Sequence, residues 1–321
     1  MSRIAITGGT GFLGMALTER LLSLPQVERV RVISRDEHKK ARMVERFGSF
    51  AAFQVLLGDV RDKNRMEQAF NHIDVVIHAA ALKRVDNDDD EAIEMKKTNV
   101  DGTQNVIEAA TTCGVRQVLF VSSDKAVAPE NAYGKSKAMA EEIAISYNSI
   151  SYPRGTRVAC VRYGNVLGST GSVLCKWSEQ RMASLPFKVT DARMTRFIMR
   201  VDQAVDVVEH ALSHMIGGEI FIPKLRSCYV SDLAMAFDPK WPTVRIGRRP
   251  GGEKWGERLI GAEEMSRTVD QRGYYVVLPS RRGWASSPYH GMPVAEDFVY
   301  ASDVQQDKLT VREISDLIQG K

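Results

Sequence analysis

The sequence predicts an α/β chain built on a doubly wound parallel sheet, with a smaller, mainly C-terminal lobe beside it. Two observations carry that reading. Short, continuous apolar runs alternate with stretches of helical periodicity through the first half, and a glycine-rich string falls between the first strand and the first helix. Ile4–Thr7, Val30–Ser34, Phe53–Leu57, Val75–Ala79 and Gln117–Ser122 read as strands; Phe12–Leu24, Asn64–Phe70 and Thr98–Cys113 read as helices between them. Strands that are apolar throughout belong to a sheet covered on both faces, and right-handed crossovers then give the doubly wound order. After Gly164 the pattern becomes irregular, with shorter elements and more glycine and proline. Residues 1–165 are expected to form the sheet domain. Residues 195–225 would return to it through a helix at Asp202–His214 and a strand at Glu219–Ile222, leaving 166–194 and 226–321 for the lobe.

Composition narrows the class. The 321 residues are 44% apolar and 26% charged, enough for one large core or two modest ones and unlike a disordered chain. No apolar run reaches the ~20 residues that a membrane helix needs. The strand signal at Arg3-Ile4-Ala5-Ile6 leaves no room for a leader, so a soluble, cytoplasmic protein is expected. The net charge of +4 is spread along the chain, without the clustered basic face of a nucleic-acid binder. Cys113, Cys160, Cys175 and Cys228 stand far apart, with no CxxC and no histidine at metal spacing; they read as free thiols, and no metal site is expected.

The string Thr7-Gly8-Gly9-Thr10-Gly11-Phe12-Leu13-Gly14 has the spacing GxxGxxG at a strand–helix junction. Gly8, Gly11 and Gly14 suit a tight turn, close approach of a pyrophosphate, and close helix–sheet packing. The helix N-terminus adds N–H donors for phosphate. This is a Rossmann-type dinucleotide signal. The second strand ends in Ser34-Arg35-Asp36, where an NAD enzyme would usually begin with an acid. Ser34 and Arg35 suit a 2′-phosphate instead, because the arginine fork is planar and always charged; NADP is therefore favoured over NAD. Asp59 and Val60 follow the third strand, with Asp59 placed for the adenine edge, and Ala79, Ala80 and Ala81 make a small-residue strand end. His78 is either a satisfied core histidine or a cofactor neighbour.

Ser122-Ser123-Asp124-Lys125 closes the fifth strand, and Tyr133-Gly134-Lys135-Ser136-Lys137 follows. Tyr133 and Lys137 are spaced i, i+4 and share a helix face. A neighbouring ammonium and the positive nicotinamide would lower the Tyr133 phenol from its usual ~10 and let it act as a base.

These strings resemble the extended short-chain dehydrogenase/reductases and, more narrowly, the UDP-N-acetylglucosamine 4,6-dehydratases of the 5-inverting kind. The resemblance rests on TGGTGFLG, SRDEHK, GDVRD, HAAALK, KTNVDGTQNVIEAA, SSDKAVAP, AYGKSK, VRYGNVLGSTGSV, TDARMTRF and GGEIFIPK, in order over most of the first 225 residues, and on Tyr300-Ala301-Ser302-Asp303 near the end. It implies that Tyr133 takes the proton of the sugar 4-hydroxyl, Lys125 removes the C5 proton, Asp124 protonates the leaving 6-hydroxyl, and Ser123 hydrogen-bonds O4. It also implies that Tyr133, Lys137 and Asn99 contact the cofactor. A UDP-N-acetylhexosamine would meet Lys83, Asn165, Ser172, Arg193, Thr195, Arg196, Arg249 and Glu253. Relatives pair through helices of the sheet domain, so a homo-oligomer is expected, with Thr98–Cys113 and Tyr133–Tyr147 as candidate interface helices.

The chain departs from that family at three places. The run Arg249–Glu257 carries an extra glycine and has Gly256 where the family has histidine. Cys175-Lys176-Trp177 replaces the usual proline and aromatics, and Ser123 stands where threonine is frequent. These differences bear on the nucleotide base, the N-acetyl group and the sugar configuration. A UDP-sugar 4-epimerase of the same fold is the nearest alternative, and Asp124-Lys125 argues against it. A non-catalytic NADP-binding regulator would not need Asp124, Lys125, Tyr133 and Lys137 together. As plain structure, Asp124-Lys125 would be a loop salt bridge, and the arginines would be surface residues.

Overall fold

A computed structural model of the chain describes residues 2–83, 89–151, 155–248, 252–280 and 291–320. Its strands are β1 (Ser2–Thr7), β2 (Val27–Ser34), β3 (Phe53–Leu57), β4 (Val75–His78), β5 (Gln117–Val121), β6 (Arg157–Val161), β7 (Asn165–Val166), β8 (Phe187–Val189), β9 (Thr195–Met199), β10 (Ile220–Pro223), β11 (Ser227–Tyr229), β12 (Thr243–Arg245), β13 (Thr268–Gln271), β14 (Tyr274–Val277) and β15 (Met292–Pro293). Its helices are α1 (Phe12–Leu22), α2 (Glu37–Phe47), α3 (Lys63–Phe70), α4 (Asp89–Met95), α5 (Gly102–Thr112), α6 (Ala132–Ser151), α7 (Val173–Met182), α8 (Val201–His214), α9 (Val230–Phe237) and α10 (Val311–Gln319).

Among the described residues the main sheet has ten strands, in the order β15-β13-β14-β10-β6-β5-β4-β1-β2-β3. From β3 to β10 the neighbours pair parallel; β14, β13 and β15 then add antiparallel to the edge. The central strands are apolar without alternation because both faces are covered: every residue of β4 is buried, as are four of the five in β5 and in β6. The strand order reverses between β1 and β4. In an open α/β sheet the crevice at such a reversal, outside the carboxyl ends of the strands, is where ligands bind.

The structure redraws three of the boundaries expected from sequence. Within 195–225 only α8 and β10 join the main sheet. β9 instead pairs with β7 and β11 in a separate three-stranded sheet and is buried along its whole length. Within 226–321, β13, β14 and β15 extend the main sheet rather than the lobe. A two-residue Arg272-Gly273 turn, with Gly273 at φ +84°, folds β13 and β14 into a hairpin whose second strand pairs with β10. The helix expected over Thr98–Cys113 starts later as α5, and residues 96–101 form a π-helical stretch that buries Thr98 and Asn99.

A second apolar core lies in the lobe, around Trp177, Phe187, Leu233 and Ile314. The Trp177 and Phe187 rings stack at 5.5 Å, and Phe237 tilts against Phe187 at 5.5 Å. No described helix is long and apolar enough to cross a membrane.

Candidate active site

The dinucleotide groove starts from glycines that no other residue replaces. Gly8 sits at φ +68°, and a Cβ there would lie 2.7 Å from the Ala80 backbone. The exits of β1 and β4 are pressed together at that point. A Cβ on Gly14 would lie 2.4 Å from Gly9, so α1 closes tightly on the loop. Gly11 is the N-cap of α1 and offers no side chain to the first turn. Those N–H groups and the positive helix end suit an anion, so the loop fits a pyrophosphate.

At the end of β2, the Ser34 hydroxyl lies 2.8 Å from that of Thr10 and accepts from Asp36 N–H at 3.2 Å. Asp36 caps α2, accepting from Lys39 N–H at 2.9 Å. The Arg35 guanidinium is half exposed, 3.9 Å from Asp59. Burial pushes the Asp59 carboxyl up, but bonds from Arg61 and the charge of Arg35 outweigh it and hold the group below its ordinary range. Val60 is buried, at the place where a Cβ on Gly102 would touch it. Asn99 is buried too. Its amide donates to the Leu82 carbonyl at 2.8 Å and to Ser136 Oγ at 2.9 Å, and it accepts from Leu82 N–H at 2.7 Å. Asn99 so holds the segment after β4. Ala79, Ala80 and Ala81 are partly exposed along that segment. His78 is a core histidine: its two ring nitrogens meet the hydroxyls of Thr7 at 2.6 Å and Thr103 at 3.0 Å, and burial takes its pKa down to about 3.

The acid–base cluster lies where β5 ends. Ser122 and Asp124 donate their N–H groups to the carbonyls of Val161 and Tyr163, strapping the turn to β6. Ser123 Oγ accepts from Lys125 N–H at 3.2 Å and donates to Asp124 Oδ1 at 2.8 Å. Lys125 Nζ donates to the same Oδ1 at 3.0 Å and to Asn165 Oδ1 at 3.3 Å. Asp124 Oδ2 is buried with no hydrogen-bond partner. Burial pushes the Lys125 ammonium down, but Asp124 and Glu257 outweigh it and hold the group above its ordinary value. Asp124 and Lys125 do form a salt bridge, but one in which the Asp124 side chain is 1% exposed and keeps an unsatisfied oxygen. A plain loop bridge would be solvated.

Asn131 caps α6 by accepting from Gly134 N–H at 2.9 Å. A Cβ on Gly134 would lie 2.4 Å from the Lys125 carbonyl, so glycine there lets Tyr133 approach the turn. The protein's own groups do not lower the Tyr133 phenol, which leaves that task to the charge of the nicotinamide. Burial raises it and Asp124 adds to the rise, against the opposing pull of Lys125 and Ser123. Lys137 does not relieve this, because its ammonium donates to the Val121 carbonyl at 2.6 Å and sits 4.2 Å over the Phe120 ring. Burial brings Lys137 down to about 8.

The lobe supplies the opposite wall. Arg196 is buried; it bonds the carbonyls of Thr195 and Lys254, and Glu253 Oε2 at 3.1 Å. It is a structural clamp on the 253–257 segment more than an open phosphate donor. Thr195 and Ser302 share a 2.8 Å hydroxyl contact, and Ser302 Oγ accepts from Glu257 N–H at 2.8 Å. Arg193 is exposed, bonded to the buried Asp191 at 3.0 Å and stacked 4.6 Å over Trp255. Ser172 is the N-cap of α7. Lys83 is exposed at the mouth, and burial of its ammonium lowers its pKa. Arg249 lies outside the described residues. Sequence reasoning missed Glu257, which reaches within 3.8 Å of Lys125 Nζ, and Ser302, which fixes it. The one available signal was Glu257's place four residues after Glu253 in the same string.

The β1/β4 reversal and the Asp–Lys–Tyr cluster at the β5 end together define a dinucleotide-type fold equipped for acid–base chemistry. Residues 4–279 match the family of polysaccharide biosynthesis proteins, and the chain belongs to that family. It is 37% identical to a UDP-N-acetylglucosamine 4,6-dehydratase (inverting) of Campylobacter jejuni, over 98% of this chain and 96% of that one. A UDP-glucose 4-epimerase of Rickettsia massiliae is 38% identical over 85% of this chain and 81% of its own length. Among solved structures, Pen from Bacillus thuringiensis superposes with a TM-score of 0.90 at 30% identity, covering 100% of this chain and 98% of that one.

Proposed function

We propose that the protein is a UDP-N-acetylglucosamine 4,6-dehydratase that uses NADP and inverts C5. The observation that carries this is the buried Ser123-Asp124-Lys125 turn beside Tyr133: oxidation at C4 alone needs no acid and amine there. The likeness to the Campylobacter jejuni dehydratase over nearly the whole chain supports the same reading.

Gly8, Gly11 and the first turn of α1 would hold the pyrophosphate, Ser34 and Arg35 the 2′-phosphate, and Lys137 the nicotinamide ribose. Arg35 is free to turn, being half exposed, whereas Asp36 is tied up as a helix cap. When bound there, the nicotinamide would supply the hydride acceptor for C4 and the hydride donor for C6. Tyr133 takes the O4 proton, and Ser123 hydrogen-bonds O4 as charge develops on it. The 4-ketone acidifies C5–H. Lys125 takes that proton while the C6–O bond breaks, and Asp124 gives its proton to the departing oxygen, which leaves as water. The resting pair carries one proton, across the 3.0 Å contact between Lys125 and Asp124. Its transfer to Asp124 makes the neutral amine and carboxylic acid that elimination needs. A proton from solvent reaches C5 on the face away from Lys125 and completes the inversion, and Tyr133 releases to solvent the proton it took from O4, so the count balances and the Asp124–Lys125 pair again carries one proton.

Incubation with UDP-N-acetylglucosamine in heavy water tests this. The expected product is a 4-keto-6-deoxy sugar carrying deuterium at C5, with couplings that report inversion. A 4-epimer formed without loss of water would instead support the epimerase reading, which the Rickettsia massiliae relative favours.

A further inference from the structure

Lys125 has two buried carboxylates within reach, of which the reaction above uses only Asp124. Glu257 Oε1 lies 3.8 Å from Lys125 Nζ and 3.9 Å from Arg196 Nε, and Oε2 lies 3.5 Å from Lys254 Nζ. These separations are long for hydrogen bonds. The side chain is 3% exposed, and Oε2 has no hydrogen-bond partner. A carboxylate buried for structure would be expected to bond its neighbours. Here the backbone carries the structural work: Glu257 N–H donates to Ser302 Oγ, and Ser302 N–H donates to the Glu257 carbonyl, both at 2.8 Å. Burial raises the Glu257 carboxyl above its ordinary range against the pull of Lys125, Arg196 and Lys254, and the group is held in place beside Lys125.

We propose that Glu257 is a positioning residue for the Asp124–Lys125 pair, a second carboxylate that keeps the shared proton on the pair during turnover. The inference rests on the reading of Lys125 as the C5 base. Elimination needs one proton on the pair, to be given up by Asp124. Loss of that proton to solvent leaves nothing for the departing oxygen. The charged and titratable groups around the pair are Glu257 and Arg196 from the lobe, Lys83 from the segment after β4, and Tyr133 from α6. Lys254, Arg196, Lys125 and Asp124 surround Glu257. Cations outnumber anions in this group, so Glu257 decides how tightly the pair holds its proton.

The test is the pH profile of kcat for UDP-N-acetylglucosamine dehydration, with heavy-water NMR confirming the product. Glu257→Gln is expected to move the alkaline limb about 1–2 pH units lower, the size of shift that an opposite charge at this range produces. The neutral plateau and KM should stay within about threefold, as the acid and base themselves remain. Lys254→Met removes a cation that competes for Glu257, and should move the same limb upward. A merely structural Glu257 would lower kcat or thermal stability without moving the limb. An alkaline limb of Glu257→Gln coincident with wild type overturns the proposal. If that variant does not fold, a Lys254→Met limb that is unmoved or lower overturns it. Lys125→Met separates the two levels. Full dehydration by Lys125→Met removes the base assignment on which the inference stands. An inactive Lys125→Met beside an unmoved Glu257→Gln limb removes the role of Glu257 alone.

Discussion

Lys125 donates to two side-chain oxygens and faces a third group, Glu257, that it does not bond. Removing its amine should separate the two halves of the reaction. Lys125→Met is expected to retain reduction of the nicotinamide by UDP-N-acetylglucosamine while dehydration falls by about 10²–10⁴, the usual worth of a general base. Nicotinamide absorbance and product NMR read the two halves. Loss of both would mean that Lys125 serves binding instead. The residues of this centre were legible where they sit in short strings: Ser123, Asp124 and Lys125 are consecutive, and Tyr133 and Lys137 are one helical turn apart. Glu257 was not, because it enters the site 132 residues after Lys125, through a contact that no local pattern encodes. The bonds of the Asn99 amide to Leu82 and Ser136 were likewise not legible, because which way an amide turns depends on partners distant in sequence. The Tyr133 phenol was expected to fall because spacing shows the nearby lysine and cannot show burial. Burial turned out to be the larger effect.

At the scale of elements, α3, α5 and α6 are joined through one carboxylate. Glu108 accepts from Lys63 at 2.7 Å, from Gln104 at 2.9 Å and from the Tyr147 hydroxyl at 2.6 Å. Bonds from Lys63, Tyr147 and Gln104 bring its pKa down to about 2, against the modest opposing push of burial. The folded value lies below the unfolded one. The contribution is therefore complete above pH ~4.5 and is lost as pH falls towards about 2. Glu108→Gln should narrow the difference in urea midpoint between pH 6 and pH 3, by an amount on the order of 1 kcal/mol after allowing for solvent screening. An unchanged acid sensitivity would count against the link. Most elements could be read from the sequence because apolar runs and helical periodicity are local. The β13–β14 hairpin was missed because its first strand, Thr268-Val269-Asp270-Gln271, is mostly polar, although an Arg-Gly turn and the apolar Tyr274-Tyr275-Val276-Val277 follow it. The π-helical stretch at 96–101 was missed for a different reason: side-chain periodicity hardly distinguishes it from the α-helix it joins.

Across the whole molecule, the sheet and the C-terminal region meet at a buried ion cluster. Arg162, just past β6, bonds Glu141 of α6 at 2.6 Å, Glu264 at 2.7 Å and the Leu259 carbonyl at 2.9 Å. Arg162→Met would leave two buried carboxylates without their cation. It should destabilise the fold by about 3–5 kcal/mol in urea unfolding, as breaking a buried pair typically does. A loss below about 1 kcal/mol would show that water or rearrangement takes over the arginine's place. The overall architecture was visible from the alternation of strand and helix, but the division between sheet and lobe was not, since it depends on which distant strand each short segment joins. β9 and β10 lie close in sequence and go to different sheets.

The Ser302 contact also has a consequence for how the protein is made. Glu257 owes its position to a hydroxyl 45 residues further along the chain, and Leu225 donates its N–H to the Tyr300 hydroxyl in the same way. A ribosome will have finished the glycine loop, the Asp124 turn and α6 long before either residue emerges. The sheet strands and the Asp124–Lys125 turn can therefore settle during translation, while the placing of Glu257 waits for the last stretch of polypeptide. A nascent chain stalled before Tyr300 should fold much of its sheet and yet lack the Ser302 contact that fixes Glu257 beside Lys125.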